Sequence, residues 1–366
     1  MKKKYIDINN VEINIYKNFE VISELWKKFY QNSNGYPFQS FEWVSHWHFT
    51  IGKAEGHTPQ IVIVKDKNNK LLMLLPLSIK YQYGINVLLF SGGDYASGLF
   101  CKDFYDYLTN ESFNKIFNAI INKIKNIDLV YFSSQPQIVG LIKNPMIQFL
   151  PVYLYHAKSH QIVLNTNLGD YFQSVKKRII NDTKRQSKRL NKLGKVSFEV
   201  VQIDKFNDVT DIMIEQKSKQ YLNTKVKDQF ELSYNHDFYK DLSFISTNEL
   251  SKHISVLKID STIIATHWGL FDRKNSTLFY LMPSHDNEHW GKFSPGRLLM
   301  IEILKWCIDN NIKIFDMTGG NEPYKFIWAN NNVKLFNYLQ PITFIGTMIY
   351  FILKLKHFLR NRSFGK

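Results

Sequence analysis

The stretch IKIFDMTGGNEPYKFIW, residues 312–328, decides how the rest of the chain is read. Strict alternation puts Ile312, Ile314 and Asp316 on one face of a strand. Two inward isoleucines predict that Asp316 points inward too, at the strand's carboxyl end. A buried carboxylate needs partners, and Lys325, Tyr324 and the N–H groups after Gly319 are the candidates. Glu322 and Trp328 complete a bend that gathers an acid pair, a phenol, an amine and an indole. One reading is a reactive bend; the plainer one is a carboxylate that only shapes the turn.

Working outward, PGRLLMIEILKWCID (295–309) reads as a helix that is apolar nearly all round, so it is expected to lie buried against a sheet. Before it come HISVLKI (253–259), TIIATHWGL (262–270) and TLFYLMP (277–283), the first two forming a tight hairpin across Asp260–Ser261. The same order occurs earlier. QIVIVKD (60–66) and KLLMLLPLSIK (70–80) form a hairpin across KNNK, NVLLFSGG (86–93) is a strand, SFNKIFNAIINKIK (112–125) is a helix, and IDLVYFS (127–133) is a buried strand. Hairpin, strand, helix, strand thus appears twice, predicting two related modules with mixed α/β sheets. The expected boundaries are 1–160, 161–340 and a separate tail, 341–366.

Three places on this frame attract chemistry. At GKFSPGRLL (291–299), Ser294 reads as an N-cap, Pro295 as the first helical residue, and Gly296 as a site of close backbone approach. With Lys292 and Arg297 this is an anion site, or simply a capped helix start. On 262–270, His267 shares a face with Ile263, Ala265 and Gly269; small neighbours suggest open space and a base, although a satisfied core histidine fits the pattern as well. Asp94 and Tyr95 follow Gly92–Gly93 at the matching strand end of the first module, and Trp43 starts a helix there.

Charge sets the class of partner. The 366 residues carry a formal net charge of +15, which favours a polyanion: nucleotide phosphates, nucleic acid or an anionic membrane. YFQSVKKRIINDTKRQSKRLNKLGK (171–195) holds nine Lys/Arg against one Asp. Phe172, Val175, Ile179, Thr183, Gln186, Leu190 and Leu193 form its apolar stripe, with Gly194 as C-cap. The cationic side is either a phosphate- or membrane-facing surface or a solvated face; Thr183 and Gln186 suit a polar cleft. Two cysteines and no CxxC or HExxH argue for no metal and a reduced, cytoplasmic protein. No signal peptide is expected at the basic start, and no run is apolar enough to span a bilayer. The tail has a dozen uncharged residues from Ile342 to Leu353 followed by Lys354, Lys356, His357, Arg360 and Arg362. That suits a helix lying on anionic lipid, or one docked on the protein.

Together, PFQSFEW, DTKRQSKRLNKLG, ATHWGL, SPGRLLMIEILKW and FDMTGGNEPYKFIWA resemble bacterial acetyltransferases of the cellulose-biosynthesis (CelD/BcsL) type, over about 37–330. The resemblance implies two GNAT-like modules in tandem, as in the Fem peptidoglycan aminoacyltransferases. It implies acyl transfer from an acyl-CoA such as acetyl-CoA, or from charged tRNA in the Fem branch, to an amine or hydroxyl of a sugar, lipid or other envelope precursor. The motif positions are Ser294, Pro295, Gly296, Asp316, Gly320, Glu322, Tyr324, Lys325 and Trp328. The usual GNAT glycine pattern at the helix entrance is replaced by GKFSPG. The expected roles follow. His267 or Glu322 is the base, Lys325 stabilises negative charge and Tyr324 protonates the leaving thiolate. Asp316 holds the bend, Trp328 walls the pocket, and Trp43, Asp94 and Tyr95 face the acceptor. A non-catalytic nucleic-acid or membrane-surface binder with a degenerate transferase fold is the third reading. A cytoplasmic location, peripheral on the inner face of the membrane, is expected.

Overall fold

The computed structural model describes residues 10–164, 167–245 and 250–363. In chain order the principal strands are β1 (Val11–Tyr16), β2 (Thr58–Asp66), β3 (Leu71–Gln82), β4 (Ile85–Phe90), β5 (Leu129–Pro136), β6 (Tyr153–Val163), β7 (Val196–Val200), β8 (Ser251–Ile259), β9 (Thr262–Asp272), β10 (Thr277–His285), β11 (Ile314–Gly319) and β12 (Asn331–Pro341). The helices that matter to function are α1 (Asn110–Lys123), α2 (Leu168–Ser174), α3 (Lys177–Leu190), α4 (Phe206–Thr224), α5 (Pro295–Asp309), α6 (Pro323–Trp328) and α7 (Phe344–Ser363). The chain divides into two compact units, Met1–Lys158 with Lys334–Lys366, and Ser159–Val333. Most of β12, and α7, therefore belong with the first unit rather than with the second module and a separate tail.

The first unit has the strand order β1-β2-β3-β4-β5-β12. β2 and β3 pair as the expected hairpin. β4 and β5 run parallel, with Val87 opposite Leu129 and Leu88 opposite Val130, and α1 lies in the crossover that parallel pairing requires. Phe113, Ile116, Phe117, Ile120 and Ile121 of α1 are buried at helical spacing, each contributing about 1.5–3 kcal/mol through apolar burial. Thr109 caps the helix by accepting the Ser112 N–H at 3.1 Å.

The second unit repeats the plan with the order β6-β11-β10-β9-β8-β7. β8 and β9 form the tight hairpin, Asp260 taking φ 51° at its turn. β10 and β11 are parallel, and α5 between them buries Leu298, Leu299, Ile303, Leu304 and Cys307, as its apolar sequence predicts. The other face of the sheet is covered by α4, whose Gln216 accepts a hydrogen bond from Ser284 of β10 at 3.0 Å.

The basic stretch departs from expectation: it is two helices. Val175 is extended (φ −92°, ψ 138°) between α2 and α3. The break has a packing cause. Tyr171 and Val175 both enter the core, and the Tyr171 hydroxyl donates to the Trp328 carbonyl at 2.6 Å. Nine positions separate Tyr171 from Ile180, so a continuous helix would put them on opposite faces; the break lets both enter one core. Restarting at Lys177 shifts the register, so Ile180 rather than Ile179 is buried with Thr183, Gln186 and Leu190, and Leu193 is exposed. Thr183 bonds the Ile179 carbonyl at 2.8 Å and Gln186 accepts from Arg189 at 3.2 Å, so both polar residues are satisfied within the helix. Asn191, not Gly194, is the C-cap.

Candidate active site

The second unit contains a place where two neighbouring strands stop sharing hydrogen bonds. β10 and β11 pair over three rungs, Thr277 with Ile314, Leu278 with Phe315 and Phe279 with Asp316. Past these rungs β10 continues to His285, whereas β11 runs to Gly319 and takes its partner from β6, Ser159 opposite Gly319. The strands part into a wedge whose open end holds the bend after Gly319.

Asp316 is the hinge of that wedge. It is buried and accepts from the Ser159 hydroxyl at 3.0 Å, the Gln161 amide at 2.7 Å and the Thr318 N–H at 2.7 Å. Its partners are thus on β6 and its own strand, not Lys325 or Tyr324. Thr318 at φ 57° and Gly320 at φ 141° reverse the chain.

The bend then closes on a cation. Lys325 is buried. Its Nζ donates to the Gly319 carbonyl at 2.7 Å and faces Glu322 Oε2 at 3.1 Å. The Glu322 side chain remains about half exposed, at 55%. Gly320 is required here, because a Cβ on it would sit 2.1 Å from Glu322 Oε2 and 2.7 Å from Lys325 Nζ. Tyr324 is partly buried, and burial first, then the Glu322 carboxylate, raises its phenol above the ordinary range, so it stays protonated.

A residue that sequence reasoning missed joins this group. Lys217 on α4 donates from Nζ to the Pro283 carbonyl at 3.0 Å, on the part of β10 that β11 has left. Burial pushes its ammonium down to about 8; Glu322 opposes that shift and Lys325 adds to it. Its amine therefore feels both members of the Glu322–Lys325 pair. Lys217 continues the stripe of Thr210 and Met213 at helical spacing, and a lysine on an apolar stripe was the signal available in the sequence.

His267 is corrected. It is fully buried, stacked on Tyr280 with ring centroids 4.5 Å apart, and its Nδ1 lies 3.4 Å from Nδ1 of His253. The hollow expected beside Gly269 is filled by the imidazole itself: a Cβ on Gly269 would lie 2.7 Å from His267 ring atoms. Burial, then His253, lowers its basicity far below the usual range. His267 is a core residue with no route to a substrate proton. Trp328 is also corrected: at 2% exposure it packs in the core instead of lining a pocket.

At the start of α5, Ser294 is left-handed (φ 55°, ψ 53°) and makes no side-chain cap. Its hydroxyl accepts from Arg297 at 3.1 Å, and its carbonyl takes the N–H groups of Arg297 and Leu298. Arg297 is bound to Asp182 of α3 at 2.6 Å. Gly296 lets His285 pack on the helix start, since a Cβ there would come 3.0 Å from its Nδ1. Lys292 reaches over the Phe293 ring at 5.2 Å. Beside this end lies an open groove of about 1310 Å³, lined by Lys176, Lys177, Arg178, Ile179 and Arg185 on one side and by Phe326 and Ile327 of α6 on the other. Its one acid, Asp182, is already held by Arg185 and Arg297.

In the first unit, Trp43 and Tyr95 are buried and only Asp94 is exposed. Trp43 Nε1 donates to the Gly92 carbonyl at 2.7 Å, and the Tyr95 carbonyl accepts from Gln39 at 2.9 Å. Trp43 supports the glycine turn, and the Tyr95 ring packs against Tyr36 and Phe38 with centroids 5.5 and 5.7 Å away, against the expectation that they face an acceptor. Among the described residues no group of three or more His, Cys, Asp or Glu side chains is arranged to hold a metal ion.

Residues 177–326 match the acetyltransferase (GNAT) domain family, from the first residue of α3 into α6. This stretch, about two-fifths of the chain, is similar to GNAT acetyltransferase domains. No curated protein matches the sequence. Among solved structures, FemX is similar with a TM-score of 0.57 at 12% identity, over 90% of this chain and 95% of that one. The C-terminal domain (DUF2156) of a provisionally assigned lysylphosphatidylglycerol synthetase from Agrobacterium fabrum gives 0.54 at 9% identity, over 91% and 95%. L-PGS from Bacillus licheniformis gives 0.52 at 9%, over 91% and 95%. At these identities the likeness is one of fold: a mixed α/β, tandem GNAT-like architecture of the Fem type.

Proposed function

We propose that the protein transfers an acyl group from an acyl-CoA, such as acetyl-CoA, to an amine or hydroxyl of a sugar, lipid or other envelope precursor at the cytoplasmic face of the membrane. The observation that carries this is the wedge between β10 and β11, with Glu322, Tyr324, Lys325 and Lys217 collected at its open end. The bound donor supplies an activated thioester. The basic groove beside α5 suits its phosphates: four cations line it and the only acid there is neutralised within the protein. Phe326 and Ile327 offer an apolar wall to the rest of the molecule.

Each residue then has one task. Glu322, half exposed and next to a cation, accepts the proton of the attacking amine or hydroxyl, directly or through one water. Lys325 and Lys217 set positive charge where the carbonyl oxygen becomes negative. Tyr324, kept protonated, gives its proton to the departing thiolate. Asp316 fixes the bend that carries them. The acceptor loses a proton and gains the acyl group, and the thiol leaves protonated, so no covalent enzyme intermediate is needed. The FD…G…E.YK..W signature at 315–328 favours the cellulose-biosynthesis type of acetyltransferase.

The test is turnover of acetyl-CoA with amine and hydroxyl acceptors by the wild type and by Glu322→Gln. Loss of about 10²- to 10⁴-fold with unchanged unfolding temperature is expected; full activity in the folded variant would remove Glu322 as the base. The basic groove also favours a second donor, aminoacyl-tRNA. Under that reading tRNA binding is steeply salt-dependent and acyl-CoA does not raise the melting temperature.

A further inference from the structure

The last helix is not a free tail. One side of α7 is fastened to the first unit. Leu353 is buried with Ile85, Val87, Leu129 and Leu339, and Ile349 and Tyr350 pack against the same cluster. Gly346 lies so close to the Asp128 carbonyl that a Cβ would be 1.9 Å from it. Thr343 ties the start of the helix to Asp128 Oδ1 at 2.8 Å.

Among the described residues nothing covers the opposite side. Phe344, Met348, Phe351, Ile352, Leu355 and Leu359 are all more than half exposed, Phe344 at 81% and Phe351 at 64%. At about 100° per residue they fall within an arc of roughly 120°. Lys354 and Lys356, both exposed, lie at the two borders of this arc. No Asp or Glu occurs anywhere in 342–366, and the sequence adds Arg360 and Arg362. The neighbouring β3–β4 hairpin tip, next to the buried Ile85, exposes Tyr81 and Tyr83, the residue type that favours the water–lipid boundary. No described helix is long and apolar enough to cross a membrane.

We infer that α7 lies flat on an anionic lipid surface, with its exposed apolar stripe among the acyl chains and Lys354 and Lys356 at the phosphates. A ridge of large apolar side chains bordered on both sides by lysines matches the boundary of a negatively charged bilayer, where stems lie in hydrocarbon and ammonium groups reach the headgroups. This surface belongs to the first unit and the wedge to the second, and the inference stands whether or not the acyl-transfer reading does.

The experiment is co-flotation of the full chain with vesicles of phosphatidylcholine alone or with 30–40% phosphatidylglycerol, a composition of about the charge needed for a strong surface potential. The anionic vesicles are expected to carry the protein and the neutral ones to carry at least tenfold less. Phe351→Ser with Leu355→Ser, which removes exposed side chains only, is expected to lower binding at least tenfold with an unchanged unfolding temperature, and Lys354→Glu with Lys356→Glu likewise. The inference is overturned if the wild type stays with the protein fraction, or if the serine variant floats as well as the wild type. It is also overturned if the stripe mediates a dimer in sedimentation that the serine variant abolishes while vesicles remain unbound.

Discussion

Asp182 and Arg297 are joined at 2.6 Å, so the only acid of the basic stretch fastens α3 to the first turn of α5. The Arg297 hydrogen bond is the main reason the Asp182 carboxyl titrates below its usual range, with Arg185 helping. A carboxyl held low stabilises the fold above its unfolded value of about 4 and loses that contribution as pH falls through the lower folded value. Thermal unfolding of the wild type and Asp182→Asn is expected to differ at pH 6 and to converge as the pH falls below about 4. The same variant leaves the groove more cationic, so phosphate-bearing donors are expected to show a steeper salt dependence of binding.

Gly320 carries the sharpest steric demand in the site. Gly320→Ala places a methyl group where Glu322 and Lys325 now meet, at a φ that alanine avoids. Moving the pair by an ångström is expected to cost about 100-fold in turnover, with a stability loss of about 1–2 kcal/mol. Steady-state kinetics beside a melting curve checks both; equal activity would separate the pair from the chemistry.

Lys217 has its folded ammonium at about 8 against an ordinary 10.5. The unfolded chain binds more protons between these values, so stability rises with pH across that window and the penalty is fully present below about 8. It is on the order of 3 kcal/mol. Lys217→Met is expected to flatten the rise of unfolding temperature between pH 8 and 10.5. Lys252 titrates in the same range through burial, so the difference between wild type and variant is the quantity to read.

His267→Ala tests the reassignment of that residue to the core. Emptying the space beside Tyr280 is expected to destabilise by about 2–4 kcal/mol. At temperatures where the variant is folded, its pH–rate profile is expected to keep the wild-type shape. A lost limb between pH 5 and 8 would return His267 to the chemistry.

The periodicity of the chain carried most of the architecture. The two hairpins, the parallel pairs and the crossover helices follow from alternation in 60–80 and 253–270 and from helical spacing in 112–125. What local pattern could not carry is anything set by distant packing. The break at Val175 brings Ile180 into the core that already holds Tyr171, whose hydroxyl bonds Trp328 across 157 residues of sequence. Ser294 looks like a cap from composition but takes a left-handed conformation as the preceding turn closes. His267 looks roomy beside Gly269 only if the ring is not counted as the filler. The bend at 316–325 was legible because its members are neighbours in sequence. Lys217 was not, since it reaches the wedge from α4 and no nearby residue names its partner.

The first unit is written in two pieces. Its strand β5 pairs with β4 on one side and with β12 on the other, yet about 175 residues separate Lys158 from Lys334. At 5–20 residues per second, the ribosome needs roughly 10–35 s to supply them. During that interval the nascent sheet has an exposed edge, and α7 arrives later still. Premature termination anywhere in the second unit would release a chain whose first unit can never close, and such chains are expected to aggregate or to be degraded.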